Sequence, residues 1–225
     1  IHTCSDVVIM GAKPIFAFNA LQAKKLEDVE KAMVELKKQS ERLGVPILGG
    51  NTQTMPELED CVAVTVFGRL ITDRIVPDGA LDSGDKLLML GAPVEGDTGE
   101  RCAKAKSKFE SYLECVKEGI VKSAKDASRG GWFGNLLEML IKSKKGAVIK
   151  SVPHPLLTRY LGTYIVGVEK KDVGRVVSIA AKNMCPVFEI GEVLEKTEIF
   201  FGDEMVINKE RLEKMIKEFP YSPKV

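Results

Sequence analysis

The chain has 225 residues, 44% of them hydrophobic and 29% charged, with a formal net charge of +1. That is enough to bury a full core and is too apolar for disorder, and its balanced charge argues against nucleic acid or an anionic membrane as a partner. No apolar run is long enough to span a bilayer, and no secretory leader is recognisable.

The first distinctive stretch is Ser5-Asp6-Val7-Val8-Ile9-Met10-Gly11-Ala12-Lys13-Pro14. It predicts a short helix over 5–11, opened by Asp6 and stopped by Pro14, then a strand over 15–20. The chain starts directly in this patterned sequence at Ile1, which suggests that natural residues precede it. Leu26, Val29, Met33, Leu36 and Leu43 recur at helical spacing and close at Gly44. A strand over 45–48 leads into Gly49-Gly50-Asn51-Thr52, which reads as a turn. Cys61 to Ile71 reads as a strand apolar on both faces, either central in a sheet or meeting a partner subunit.

Turn residues over 73–85, with Pro77, Asp78-Gly79 and Ser83-Gly84, place a domain boundary near residue 80 and divide the chain into 1–80 and 81–225. Beyond it the pattern predicts strands at 86–90, 147–152, 164–168 and 187–193, and a hairpin over 197–207. Helices are marked by Phe109 to Ile120, Leu136 to Ile141, Val173 to Ala180 and Leu212 to Phe219. Glu95 to Gly99 reads as a polar surface turn, Trp132 as a packing aromatic, and Lys142, Lys144 and Lys145 as a solvated helix end. The overall class is α+β.

Three polar segments can carry chemistry. Asp6 is either a helix cap or a hard-oxygen ligand for Mg²⁺. Gly49-Gly50-Asn51-Thr52 is either a tight turn or a place where backbone approaches a ligand, with Asn51 and Thr52 offering oxygens. Asp126-Ala127-Ser128-Arg129-Gly130-Gly131 opens a helix. Its amides and Arg129 suit a phosphate, and Asp126 or Ser128 equally suits an N-cap. Five cysteines without a Cys-x-x-Cys pair (Cys4, Cys61, Cys102, Cys115, Cys185) argue for free, buried, cytosolic thiols rather than disulfides or zinc. His2 and His154 are too few and too far apart in sequence to suggest a histidine metal site or a serine-protease-like triad.

Together these segments resemble the AIR synthase (PurM-like) superfamily, which includes aminoimidazole ribonucleotide synthase, thiamine monophosphate kinase, selenide water dikinase and the hydrogenase-maturation carbamoyl dehydratase. Ser5-Asp6 through Gly11-Ala12-Lys13-Pro14, Gly49 to Thr52, Asp126 to Gly131 and Ile190-Gly191-Glu192-Val193 are similar to its motifs in order and spacing. The nearest likeness is to AIR synthase-related proteins of methanogenic archaea, of the methanogenesis marker 2 type. The resemblance implies an N-terminal α/β half that pairs through its sheet into a homodimer, a C-terminal α/β half, and ATP with Mg²⁺ in a cleft serving phosphate transfer to a small-molecule acceptor. Asp6 and Asn51 would then be metal ligands, and Asp126 and Arg129 catalytic. Ser5, Gly49, Gly50, Thr52, Ser128, Gly130 and Gly131 would contact the nucleotide.

The chain departs from the family pattern in four ways. Asn51 stands where several members carry Asp. Arg129 is nearer the carbamoyl-dehydratase branch, which uses a C-terminal cysteine, whereas this chain ends Tyr221-Ser222-Pro223-Lys224-Val225. The family's glycine-rich loop and Asp-Asp motif lie ahead of Asp6 and are not among these residues. A nucleotide-binding assembly subunit with weakened catalysis is the alternative reading, and a dimeric scaffold without a nucleotide site is a third.

Overall fold

The computed structural model describes residues 1–57, 59–158 and 162–218. Two sheets organise the chain. The first is built from β1 (Ala12–Ala23), β2 (Ile47–Thr54) and β3 (Cys61–Leu70) in the order β2-β1-β3, with β1–β2 parallel and β1–β3 antiparallel. Helices α1 (His2–Ile9) and α2 (Leu26–Leu43) belong to this part of the chain.

The second sheet has seven strands. They are β4 (Lys86–Leu90), β5 (Val121–Asp126), β6 (Gly146–Ile149), β7 (Tyr164–Val168), β8 (Val187–Leu194), β9 (Ile199–Phe201) and β10 (Glu204–Ile207), in the order β10-β9-β6-β8-β4-β7-β5. All its pairings are antiparallel except β6–β9. Four helices accompany it: α3 (Thr98–Lys117), α4 (Gly131–Ser143), α5 (Val173–Lys182) and α6 (Lys209–Glu218). Phe219 and the proline-containing tail lie outside the described residues.

The central strands of the second sheet are buried on both faces, so β4 and β7 read as unbroken apolar runs. Leu88, Leu90, Tyr164 and Val166 face one core together with Phe109 and Tyr112 of α3 and Ile179 of α5. Leu87, Met89 and Ile165 face another with Trp132, Leu136 and Met139 of α4 and Leu212 of α6. The first core does not stop at the second sheet. It continues through Cys4 and Val8 of α1 to Ala17 of β1. α1 is therefore the piece through which the two sheets share one interior. Gly68 allows its close approach, since a Cβ there would overlap a methyl of Val7.

Several expectations are corrected. The first helix is His2–Ile9, with Ile1 at its N-cap, so Asp6 lies in the helix interior and caps nothing. β1 begins at Ala12 and runs through Pro14. Proline is tolerated because β2 pairs with β1 only from Ala17 onward and the β1–β3 register slips between Pro14 and Phe16. Gly49-Gly50-Asn51-Thr52 is not a turn. It lies within β2, opposite Phe18 to Leu21 of β1.

β3 is an edge strand rather than a central one, and most of it is exposed. Glu95 to Gly99 does not form a plain turn: Asp97 caps α3 and exchanges hydrogen bonds with Glu100 in a capping box. Lys142 is not simply solvated, because Asp78 accepts from it at 2.6 Å and Glu138 pairs with it at 2.8 Å. Strand β5 was not visible in the sequence pattern.

Candidate active site

The site forms where α1 meets the second sheet. Ser5 Oγ donates to the Tyr164 hydroxyl at 2.9 Å, and that hydroxyl donates to the Ser5 carbonyl at 3.1 Å. One turn on, the Tyr112 hydroxyl donates to the Ile9 carbonyl at 2.5 Å. Tyr164 lies opposite Asp126 in the β5–β7 ladder. Asp6, the neighbour of Ser5 and open to solvent, therefore comes within electrostatic reach of Asp126, 120 residues away in sequence. Partial burial pushes the Asp6 carboxyl above the usual carboxylate range, and the Asp126 charge pushes it further.

A buried cation lies behind these acids. Lys108 on α3 is 1% exposed, and its ammonium donates to the Gly162 carbonyl. It lies 4.1 Å from the centroid of the Tyr164 ring and 5.2 Å from that of Phe109. Burial draws its pKa down to about 8, against the opposing pull of Asp126. Gly91 makes room for its stem, because a Cβ there would sit 2.9 Å from Lys108 Cδ. Beside it, Thr163 Oγ1 is buried without a hydrogen-bond partner among the described residues, while the Thr163 carbonyl accepts from Ala127 N at 2.8 Å.

Sequence reasoning missed Lys108 and Tyr164. The signal for Lys108 was a cation inside the apolar stripe Ala105, Phe109, Tyr112 and Val116, at helical spacing. Nothing in the sequence marked Tyr164 beyond its place at the head of a strand.

The segment 126–131 is divided between solvent and protein. Arg129 and Gly130 are exposed, Ser128 is half-buried and Gly131 is buried. Gly130 is the N-cap of α4 with φ 93°, and Gly131 follows at φ 72°. A Cβ on Gly131 would overlap the Leu156 carbonyl, so this helix start packs against the 156–157 backbone. Two of its amides are already used: Gly131 N donates to the Ser128 carbonyl and Phe133 N to the Leu156 carbonyl. Asn135 secures the turn by donating to the carbonyls of Arg129 and Gly131. Trp132 is a packing residue, fully buried, with Nε1 on the His154 carbonyl.

The structure thus joins Ser5, Asp6 and the Asp126 segment. It does not bring Gly49, Gly50, Asn51 and Thr52 to them. These residues lie along the outer edge of the first sheet, where Gly50, Asn51 and Thr52 are exposed. Among the described residues no three His, Cys, Asp or Glu side chains cluster as a metal cage. Four of the five free thiols are buried, and Cys61 is exposed. No described helix is long and apolar enough to cross a membrane.

The architecture, two α/β sheets bridged by a short helix, is the PurM-like fold. It matches Thermotoga maritima PurL complexed with ATP at a TM-score of 0.73 and 22% identity, over 92% of this chain and 39% of that one. It matches the hydrogenase maturation protein HypE at 0.72 and 16% identity, over 88% and 76%. The chain belongs to the AIR synthase related family: the model of that family's N-terminal domain matches residues 1–70 and that of its C-terminal domain residues 88–204.

An uncharacterized protein of Methanocaldococcus jannaschii is 55% identical over 98% of this chain and 75% of its own length. The selenide, water dikinase of Carboxydothermus hydrogenoformans is 28% identical over 96% and 68%. The chain spans 36% of the Thermotoga maritima phosphoribosylformylglycinamidine synthase subunit PurL.

Proposed function

We propose that this protein is an ATP- and Mg²⁺-dependent enzyme that transfers or activates phosphate on a small-molecule acceptor. The observation that carries the reading is the convergence of Asp6 and Asp126: α1 is tied through Ser5 to Tyr164, whose ladder partner is Asp126 of β5. Two neighbouring carboxylates without a protein cage suit Mg²⁺, which takes one or two carboxylates and completes its shell with water and phosphate oxygens. The relatives support the nucleotide: PurL of Thermotoga maritima has been seen with ATP, and selenide, water dikinase is a kinase by name.

In this reading Asp6 and Asp126 hold the metal, and exposed Arg129 with Ser128, Gly130 and Gly131 meets phosphate oxygens. Ser5 and Tyr164 hold Asp6 in position. Phosphoryl transfer asks mainly for positioning and charge neutralisation, which these groups supply. Gly49, Gly50, Asn51 and Thr52 lie on the edge strand β2 away from this pair, where they offer oxygens and an open strand edge rather than a ligand to the same metal. We further assign residues 1–80 and 81–225 to two domains, a homodimer to the exposed face of the first sheet, and the cytoplasm as the compartment, in keeping with the free thiols. On that sheet face Phe16 and Phe67 stack at 5.0 Å, with Phe18 edge-on to both.

Mg-ATP at a hundred times its Kd would add about 2.7 kcal/mol, raising the melting temperature of the natural full-length chain by roughly 5–10 °C. Asp6→Asn removes that rise. In the ligand-free protein Asp6→Asn is stabilising at neutral pH. A carboxyl whose folded pKa is raised favours the folded state only at low pH, and loses that contribution as pH climbs from the unfolded to the folded pKa. An unshifted melting curve at saturating Mg-ATP would exclude the proposal. Asn51 favours a second reading, a nucleotide-binding assembly subunit with weak catalysis. Mg-ATP stabilisation without phosphate release or transfer across a panel of acceptors would select it.

A further inference from the structure

We propose that a second pocket, set apart from the carboxylate pair, binds a phosphorylated small molecule. It is a cavity of about 610 Å³ between the start of β1, the end of β3 and the C-terminal ends of α2 and α3. That volume lies within the roughly 300–1,000 Å³ typical of small-molecule sites. Lys13, Arg69 and Lys117 line it, all three exposed.

Lys13 and Arg69 are direct cross-strand partners in the β1–β3 ladder. Like charges in that position destabilise a sheet. Several other cations of the chain are paired: Lys86 has Glu192, Lys122 has Asp82 and Asp85, and Lys182 has Glu114. No described carboxylate lies within ion-pair reach of Lys13, Arg69 or Lys117. The C-terminal ends of α2 and α3 bring about half a negative charge each, which leaves roughly two positive charges uncompensated. Ile15, Leu70 and Ile71 supply an apolar wall.

A dianionic phosphate with a small apolar body fits this combination, with the phosphate between Lys13 and Arg69. Neither Asp6 nor Asp126 lines this pocket, and Lys117 follows Lys108 by nine residues on α3, roughly 14 Å along the helix axis, which sets the two places apart.

Phenyl phosphate is the probe, titrated calorimetrically into the full-length chain at low salt beside inorganic phosphate. Saturable one-to-one binding is expected, weakened at least tenfold in Lys13→Glu and in Arg69→Glu and unchanged in Asp6→Asn. Lys13→Glu gains an ion pair with Arg69, so its ligand-free melting temperature rises while binding falls, a pair of signs that a merely structural lysine would not give. Lys13→Gln, which relieves the repulsion without adding an ion pair, weakens binding with a smaller rise. Absence of saturable binding overturns the proposal, as does equal affinity in wild type and Lys13→Glu. Loss of binding in Asp6→Asn also overturns it, by placing the ligand at the carboxylate pair. Failure of Mg-ATP to stabilise the protein leaves this pocket unaffected.

Discussion

The two sheets solve the problem of burial in opposite ways. In the seven-stranded sheet, β4 and β7 are buried at every position and helices cover both faces. In the three-stranded sheet, the inner side shares the core built around α1, while Phe18 and Phe67 on the outer side stay 41% and 47% exposed. Among the described residues the core particular to that sheet is the small group Leu21, Ala23 and Val29. One sheet is complete within the chain, and the other presents an unfinished apolar face. Stability is therefore concentrated in the second sheet, and surface available for recognition in the first.

Trp132→Ala gives the largest expected contrast. It empties a fully buried site between α4 and the second sheet and should cost about 3–5 kcal/mol in denaturant unfolding. A loss under 1 kcal/mol would contradict the assignment of stability to that sheet.

Lys108→Met comes next and is read by pH. The lysine titrates near 8 when folded and near 10.5 when unfolded, so its charge opposes folding at neutral pH. That cost disappears as pH rises through this interval, a swing of about 3 kcal/mol. Wild-type stability should therefore rise relative to Lys108→Met between pH 7 and 10.5. A constant difference between the two would disprove the depressed pKa.

The smallest effect on folding belongs to Phe67→Ser on the open sheet face, within about 0.5 kcal/mol for an exposed position. The same change should dissociate the proposed dimer in sedimentation velocity. Unaltered association would place the interface elsewhere.

Much of the second sheet was legible because complete burial leaves continuous apolar runs, as in Leu87 to Leu90 and Tyr164 to Val168. β5 was hidden because Lys122 and Lys125 interrupt its run, and their pairing with Asp82, Asp85, Asp78 and Glu138 is visible only in three dimensions. Gly49 to Thr52 misled for a related reason. Glycines beside polar residues suggest a turn, yet an edge strand can carry them where only one neighbour must be satisfied. Asp6 and Asp126 were singled out as separate motifs, and their proximity follows from how α1 packs. Lys108 and Tyr164, which support them, act through burial and ring geometry, and a linear pattern does not encode either.

The short helix α1 has a mechanical consequence. Within a span of five residues it is tied to the second sheet by Tyr164 at Ser5 and to α3 by Tyr112 at Ile9, while Val7 abuts Gly68 of the first sheet. Rocking of one sheet against the other would strain these attachments together with the contact of α2 and α3, where Thr98 donates to Glu35 at 2.8 Å. α1 is thus a shared joint between the two sheets, and because Asp6 projects from it, a ligand held by Asp6 sits directly on that joint.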